Sequence, residues 1–240
     1  MMHHANCMKV FVVLAFLLGA TGVAAAQEPD GLEKVKAVYD SAAVVLAESR
    51  ADAITYYERA LDMAERLGDK GSELAEQCKA KMGELYLELG NEWLANEDID
   101  KAVKSLKQAV EYGEEELANK LLSNIYIVKA VACQKMNDLK GALENAQKSV
   151  QFVDNPTAEK IVGITAFSLK QNKVAAEALE AYLSMKPDAI TEEAGMVYNL
   201  GMALVATGEN AKACGYFKEI AADPEFGMAA RYQLVTLKCE

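Results

Sequence analysis

The sequence predicts an all-α protein, built as a solenoid of about five helical hairpins with a further helix at its carboxyl end. Three observations carry this prediction. An alanine that opens the second helix of a hairpin recurs five times, a small residue recurs twelve positions before it, and short polar turns separate the helical stretches. No segment alternates polar and apolar residues over a useful length, so no β-sheet is expected.

The recurring alanines are separated by 49, 40, 33 and 38 residues. Such spacings are typical of helix-turn-helix units that stack on one another, because a single unit cannot bury its apolar face alone. The fourth unit can be phased on Ala175 or on Ala176, and Pro187 at the end of its second helix favours Ala175. The five anchors are Ala53, Ala102, Ala142, Ala175 and Ala213.

Side-chain size around each anchor follows a pattern with a physical reason. Twelve residues before the anchor the two helices of a unit must cross closely, and the residues there are Ser41, Gly90, Ala130, Gly163 and Gly201. Four residues beyond the anchor a large side chain should fill the space between the helices. Four units supply one, namely Tyr57, Leu106, Leu179 and Phe217, and Ala146 in the third unit departs from the pattern.

The second unit shows the most complete version of this pattern, in Tyr86, Leu89, Gly90, Trp93, Ala102, Leu106 and Ala109. It resembles the tetratricopeptide repeat (TPR) family, and the resemblance extends over roughly residues 32–238. The resemblance implies a right-handed α-solenoid of about five TPR-like hairpins plus a carboxyl-terminal capping helix. A helical bundle without repeats is the alternative, because an alanine-rich chain gives some matches by chance.

We expect residues 1–26 to be a signal peptide and residues 27–240 to be the repeat domain. Lys9 precedes an apolar run from Val10 to Ala20, and small residues before Gln27 suit cleavage after about Ala26. The run is shorter than the roughly 20 residues that a membrane span needs, although an uncleaved leader could still act as an anchor. Within the domain, units are expected at about 32–67, 73–112, 115–153, 156–187 and 189–222, with the capping helix at 225–238.

Charge and cysteine content bound the environment and the partners. The formal net charge is −11 at pH 7, which disfavours nucleic acid and anionic membrane surfaces. The leader predicts export, to the periplasm or the cell envelope, with no membrane insertion after cleavage. The later cysteines do not have the spacing of a disulfide framework. If a bridge forms, Cys214 with Cys239 is favoured, because a terminal helix that folds back on the fifth unit would bring them together.

The residue types argue against an enzyme. The two histidines, His3 and His4, both lie in the leader, so histidine-dependent nucleophilic catalysis and ordinary zinc sites are excluded from the repeats. No glycine-rich phosphate loop is present. Pairs of carboxylates could in principle hydrolyse glycosides, but they need a shaped cleft. We therefore expect no catalytic, cofactor-binding or metal-binding residues.

A partner groove is implied by the resemblance, because the first helices of TPR units line a concave surface that holds a peptide or a helix. The positions carried over are Leu87, Asn91, Leu94, Ile127, Val131, Gln134, Lys160, Ile164, Phe167, Tyr198, Met202 and Val205. Some family members clamp a terminal carboxylate with lysine and asparagine. Here Asn91 matches the asparagine, but Leu87 replaces the lysine, which argues against such a clamp.

The functional prediction is a non-enzymatic interaction module or assembly adaptor of the cell envelope, which binds a protein or peptide of unknown identity. The lining is more apolar than charged, and large apolar patches are uncommon on monomers. These side chains could therefore bind a partner, complete the core, or be covered by the amino-terminal helix or by another copy of the chain. The alternative function is accordingly a structural homo-oligomer that buries its groove by self-association.

Overall fold

The computed structural model describes residues 31–240, and the predicted leader and its cleavage site lie outside this range. Over residues 31–240 the chain forms twelve α-helices, one short 3-10 turn at Gly68–Lys70, and no strand. The helices are α1 (Gly31–Val45), α2 (Arg50–Glu65), α3 (Ser72–Ala95), α4 (Ile99–Glu111), α5 (Glu115–Lys135), α6 (Leu139–Val150), α7 (Pro156–Ser168), α8 (Asn172–Met185), α9 (Ala189–Glu192), α10 (Ala194–Thr207), α11 (Asn210–Glu219) and α12 (Gly227–Thr236).

Ten of these helices pair into five consecutive hairpins. Hairpin one is α1 with α2, hairpin two α3 with α4, hairpin three α5 with α6, hairpin four α7 with α8, and hairpin five α10 with α11. The second helix of each hairpin packs on the first helix of the next, and several first helices also touch directly, as α5 touches α7 and α7 touches α10. The predicted all-α solenoid is therefore confirmed, with its helices stacked in chain order.

The turn inside four of the hairpins contains a residue in the left-handed conformation. Glu97, Asn137 and Lys170 have φ angles of 60°, 59° and 60°, and Gly208 has 85°. Each lies five residues before the alanine anchor of its hairpin. Because positive φ is uncommon outside glycine, its recurrence at one position marks a repeat of backbone conformation. In hairpin four this spacing selects the phase on Ala175.

The core of each hairpin is built from the anchor and the crossing point. All five anchor alanines are completely buried. At the crossing, a Cβ added to Gly163 would come within 2.5 Å of Leu179 Cδ2, and one added to Gly90 within 2.7 Å of Leu106 Cδ2. The small residue is therefore required because the large side chain of the second helix already occupies the space, as the sequence predicts.

Hairpin one does not follow the predicted spacing. Ser41 is exposed and its hydroxyl donates to the carbonyl oxygen of Ala37 at 2.7 Å, whereas its neighbour Ala42 is completely buried. The prediction of Ser41 as the crossing residue is therefore wrong by one position. The physical reason lies in the turn at residues 46–49, which contains no residue with positive φ and so connects its helices differently from the other four turns.

The carboxyl end has two features that complete the fold. The capping helix α12 packs on α11 and is shorter than predicted, and the short helix α9 before α10 was not predicted. A disulfide joins Cys214 of α11 to Cys239, whose Cα atoms are 5.7 Å apart. This is the pairing that the sequence favours, and Cys78 and Cys133 remain free thiols.

Candidate partner-binding groove

The twelve predicted groove residues lie on the first helices of hairpins two to five. Three are on each of α3, α5, α7 and α10. Asn91 is exposed, and the other eleven are half-buried. Each of the eleven is therefore partly accessible to a partner and partly packed against the rest of the protein.

Seven of the apolar members form one group, which we call the groove strip. They pack from the outside against the large buried cluster that extends over hairpins three to five, and each stays half-exposed. Leu87 and Leu94 belong to a separate buried cluster between hairpins two and three. The groove strip consists of Ile127, Val131, Ile164, Phe167, Tyr198, Met202 and Val205.

The groove strip is not uniform in its attachment to the core. The Tyr198 ring lies 5.6 Å from the ring of Phe217 and 5.9 Å from that of Phe226, measured between centroids. Phe217 is completely buried, so Tyr198 is held between the core and the segment before α12. Within residues 31–240 Phe167 makes no such aromatic contact, and it lies on α7, the middle of the three helices that carry the strip.

The polar members of the predicted groove are bonded within the chain. The Asn91 side-chain amide donates to the carbonyl oxygen of Leu87 at 3.1 Å. Gln134 Nε2 donates to Thr165 Oγ1 at 3.3 Å and so connects hairpins three and four. Some TPR proteins hold a terminal carboxylate with a lysine and an asparagine. Here Leu87 stands where that lysine is expected, and the Asn91 amide is already bonded to its own helix.

Lys160 is neutralised by a carboxylate before α10. Its Nζ lies 2.5 Å from Glu193 Oε2, and the Tyr182 hydroxyl donates to Glu193 Oε1 at 2.8 Å. Burial acts to raise the pKa of Glu193, but the hydrogen bonds from Lys160 and Tyr182 outweigh it and lower that pKa. Burial and the bond to Glu193 raise the pKa of Tyr182 to about 12. The groove therefore offers a partner apolar area and no free positive charge at this point.

An apolar pocket at the hairpin two end of the groove was missed by the sequence analysis. It has a volume of about 280 Å³ and shares one residue, Leu94, with the predicted set. Its lining includes buried Ile125 and Val128, which is 68% exposed, and Lys129 Nζ lies 3.7 Å from Asp100 Oδ1. Its lining is Leu94, Ile99, Leu121, Asn124, Ile125, Val128 and Lys129.

A signal for this pocket was present in the sequence. Leu117, Leu121, Ile125 and Val128 follow one another at helical spacing along α5, from an extension before the repeat pattern into the pattern itself. Val128 lies between the carried-over positions Ile127 and Val131. The family pattern assigns only three groove positions to each helix, so this apolar row was not among them.

Residues 31–240 contain no histidine, and they hold no cluster of three or more His, Cys, Asp or Glu side chains suited to a metal ion. Burial raises the pKa of the Cys78 thiol to about 11, which keeps it protonated and unreactive. A search of the same residues for a helix long and apolar enough to cross a membrane finds none.

Comparison with known proteins gives no match to any family model and none to a curated protein. Among solved structures, the chain is similar to MamA at 18% identity, with 88% of this chain and 97% of that chain covered and a TM-score of 0.36. It is also similar to YrrB, described as a TPR protein with an unusual peptide-binding site, at 16% identity, 85% and 96% coverage and a TM-score of 0.38.

A third solved structure, BtubC (BKLC) from P. vanneervenii, aligns at 15% identity with a TM-score of 0.32, and the match covers 88% of this chain and 83% of that one. At TM-scores below 0.5 these superpositions carry no argument about function. The fold is established by the stacked hairpins of the chain itself, which have the architecture expected of a TPR-like solenoid.

Proposed function

We propose that this chain is an exported, non-enzymatic interaction module that binds a peptide or a helix of a partner protein along the groove strip. The observation that carries the proposal is the continuity of seven half-exposed apolar side chains across α5, α7 and α10. A preformed apolar surface of this kind suits an amphipathic segment whose apolar residues recur along one face.

The charge state of the groove supports an apolar partner. Lys160 is paired with Glu193, and Asn91 is bonded to its own helix, so neither is poised to hold a terminal carboxylate. Binding would then depend on the burial of apolar area, which contributes about 25 cal/mol per Å² before the entropic cost of association. Phe167 is the side chain best placed to act as the central anchor.

Export to an oxidising compartment is supported by two independent features. The first is the composition of residues 1–26, which has the basic, apolar and small-residue regions of a signal peptide. The second is the disulfide between Cys214 and Cys239, since such bonds persist mainly outside the cytosol. We propose a periplasmic or cell-envelope location on these grounds.

The absence of catalysis is part of the proposal. The repeats lack histidine, and the buried thiol of Cys78 is protonated at neutral pH. The carboxylates that lie close together are largely held in surface ion pairs with lysine or arginine, as Glu88 and Glu92 are with Arg50. Such pairs stabilise the fold slightly. Burial and the nearby Asp154 raise the pKa of the Glu159 carboxyl, which lines a pocket, but no second acidic residue lines that pocket to complete a catalytic pair.

A site-specific photo-crosslinking experiment tests the proposal. A benzophenone amino acid replaces Phe167 on α7, and a matched control places it at Tyr56 on α2, a 38% exposed residue on the second helix of hairpin one. We expect irradiation in the native envelope to give one discrete adduct from position 167 and none from position 56. The adduct is then identified by mass spectrometry.

The identity of the adduct separates the two candidate roles. A different protein supports the adaptor, whereas an adduct of two copies of this chain supports the structural homo-oligomer. No adduct at 167, or the same adducts from both positions, would contradict binding along the groove strip. A companion variant, Phe167→Asp, should lose the partner while its helicity by circular dichroism stays unchanged.

A further inference from the structure

The outer face of α12 carries an apolar stripe that nothing in residues 31–240 covers. Met228, Tyr232 and Val235 are 78%, 68% and 79% exposed. They are spaced four and three residues apart, so they lie on one side of the helix, as the seam residues of a coiled coil do. We call them the α12 stripe.

The opposite face of the same helix is already used. Gly227 and Ala230 are buried, and Leu234 and Leu237 pack against the large cluster of hairpins three to five. A helix that ends a solenoid normally shows a polar outer face, because no further repeat covers it. The α12 stripe breaks this rule, and its exposure disfavours a role confined to capping.

We infer that the α12 stripe is a two-fold interface that binds the α12 stripe of a second copy of this chain, with the two helices antiparallel. The argument comes from how the residues are arranged about the midpoint between Arg231 and Tyr232. Met228 and Val235 are equally distant from that point, so each faces the other across a two-fold axis.

The charges flanking the stripe have the same symmetry. Glu225 lies two residues before α12 and Lys238 two residues after it, and both are exposed, so an antiparallel pair brings the end with Glu225 beside the end with Lys238 of the second copy. Arg231, next to the midpoint, is exposed, and its guanidinium donates to the carbonyl oxygen of Ala221 in its own chain. Opposite charges at both ends select the antiparallel register.

The disulfide prepares this surface for binding. Cys239 follows Lys238 directly and is tied to Cys214 on α11, so the carboxyl end of α12 is fixed before association. Less conformational freedom is then lost on binding. Three apolar side chains and a few charges per copy bury on the order of 1,000 Å² in the pair, at the lower limit of specific interfaces. The inferred dimer is therefore weak and reversible.

This interface uses other residues than the proposed function, because the groove strip lies on α5, α7 and α10 and the stripe on α12. Two copies joined through α12 would present two grooves. Self-association through the groove strip, in contrast, would close both. The two arrangements differ in which substitutions abolish the dimer.

Sedimentation equilibrium over a concentration series tests the inference on the protein purified after export from its host. We expect a monomer–dimer equilibrium that Tyr232→Asp and Val235→Asp each weaken at least tenfold in Kd. The matched control is Val44→Asp on α1, at the opposite end of the solenoid, where the side chain is 75% exposed. That control should leave the Kd unchanged.

A charge swap tests the register without touching the stripe. Glu225→Lys and Lys238→Glu should each weaken the dimer, and the double variant should restore it, because both end pairs are then reversed together. A chain that stays monomeric at every concentration would overturn the inference. So would a dimer that ignores these substitutions, that fails to recover in the double variant, or that is lost with Phe167→Asp in the groove strip.

Discussion

Hairpins three and five solve the same packing problem in different ways. In hairpin five, Gly201 faces Phe217, and a Cβ at position 201 would come within 2.5 Å of the ring. In hairpin three the corresponding residues are Ala130 and Ala146, both completely buried in one cluster. A glycine paired with a large side chain and a pair of alanines are two ways to fill the space between crossing helices. The departure of Ala146 from the expected pattern is therefore compensated at the crossing point.

The two hairpins also differ in what else holds them. Hairpin three buries two hydroxyls, with Ser123 Oγ 2.8 Å from Ser149 Oγ, and Ser149 also donates to the carbonyl oxygen of Ser123 at 3.0 Å. Hairpin five carries the disulfide from Cys214. A hairpin inside the stack has neighbours on both sides, whereas the last one has a neighbour and one short helix. The terminal hairpin therefore depends more on a large side chain and a covalent link.

The largest expected effect comes from truncating the aromatic side chain of hairpin five. Phe217→Ala removes a completely buried ring and should lower the free energy of unfolding by about 3–5 kcal/mol. The matched change in hairpin three, Ala146→Gly, should cost about 1 kcal/mol, mainly through helix propensity. Urea unfolding followed by circular dichroism measures both. Equal losses would show that the two crossing points do not differ as described.

Removal of the disulfide should have the next largest effect. The bond joins residues 25 apart in the sequence. Cys214→Ser should lower the free energy of unfolding by about 3 kcal/mol, because the unfolded chain gains conformational entropy when the bond is absent. In hairpin three, Cys133 is a half-buried free thiol, so Cys133→Ser should change stability by less than about 1 kcal/mol. Unfolding with and without a reducing agent measures the difference, and an unaffected reduced protein would contradict it.

The smallest effect concerns the buried hydroxyls of hairpin three. Ser149→Ala leaves the buried Ser123 hydroxyl without its partner and should cost about 1–2 kcal/mol. Changing both serines to alanine removes donor and acceptor together, so the double variant should lose less than the sum of the two single changes. Urea unfolding of the four proteins of this cycle gives the coupling. Additive losses would mean that the two hydroxyls are energetically independent.

Side-chain size explains how much of the fold was predictable. The space between the two helices of one hairpin limits which side chains fit at the anchor and at the crossing point, as at Gly163 opposite Leu179. Because this limit acts within one hairpin, the sequence alone indicates these positions. Ser41 was misplaced because the spacing was carried over to a turn of different conformation. Helix α9 was missed because four residues after Pro187 give too short a pattern to detect.

The candidate groove was less predictable than the fold. The sequence indicated which apolar residues lie on the first helices, but it did not indicate that Lys160 is paired with Glu193 of the next hairpin. The pocket beside Val128 was also missed, because it lies between hairpins and involves an extension of α5 beyond the repeat pattern. Contacts between hairpins depend on how successive units stack, which no spacing within one unit encodes.

The sequence by itself determined the helical class, the number of hairpins, four of the five crossing points and the favoured cysteine pair. These follow from local periodicity, from the volume that two crossing helices leave free, and from the fold-back of the last helix. Only the tertiary structure decided the buried residue of hairpin one, the pairing of Lys160 with Glu193 and the exposure of the α12 stripe. The first depends on the conformation of one turn, and the other two depend on how each helix packs on its neighbours, because stacking decides which part of an apolar face is covered.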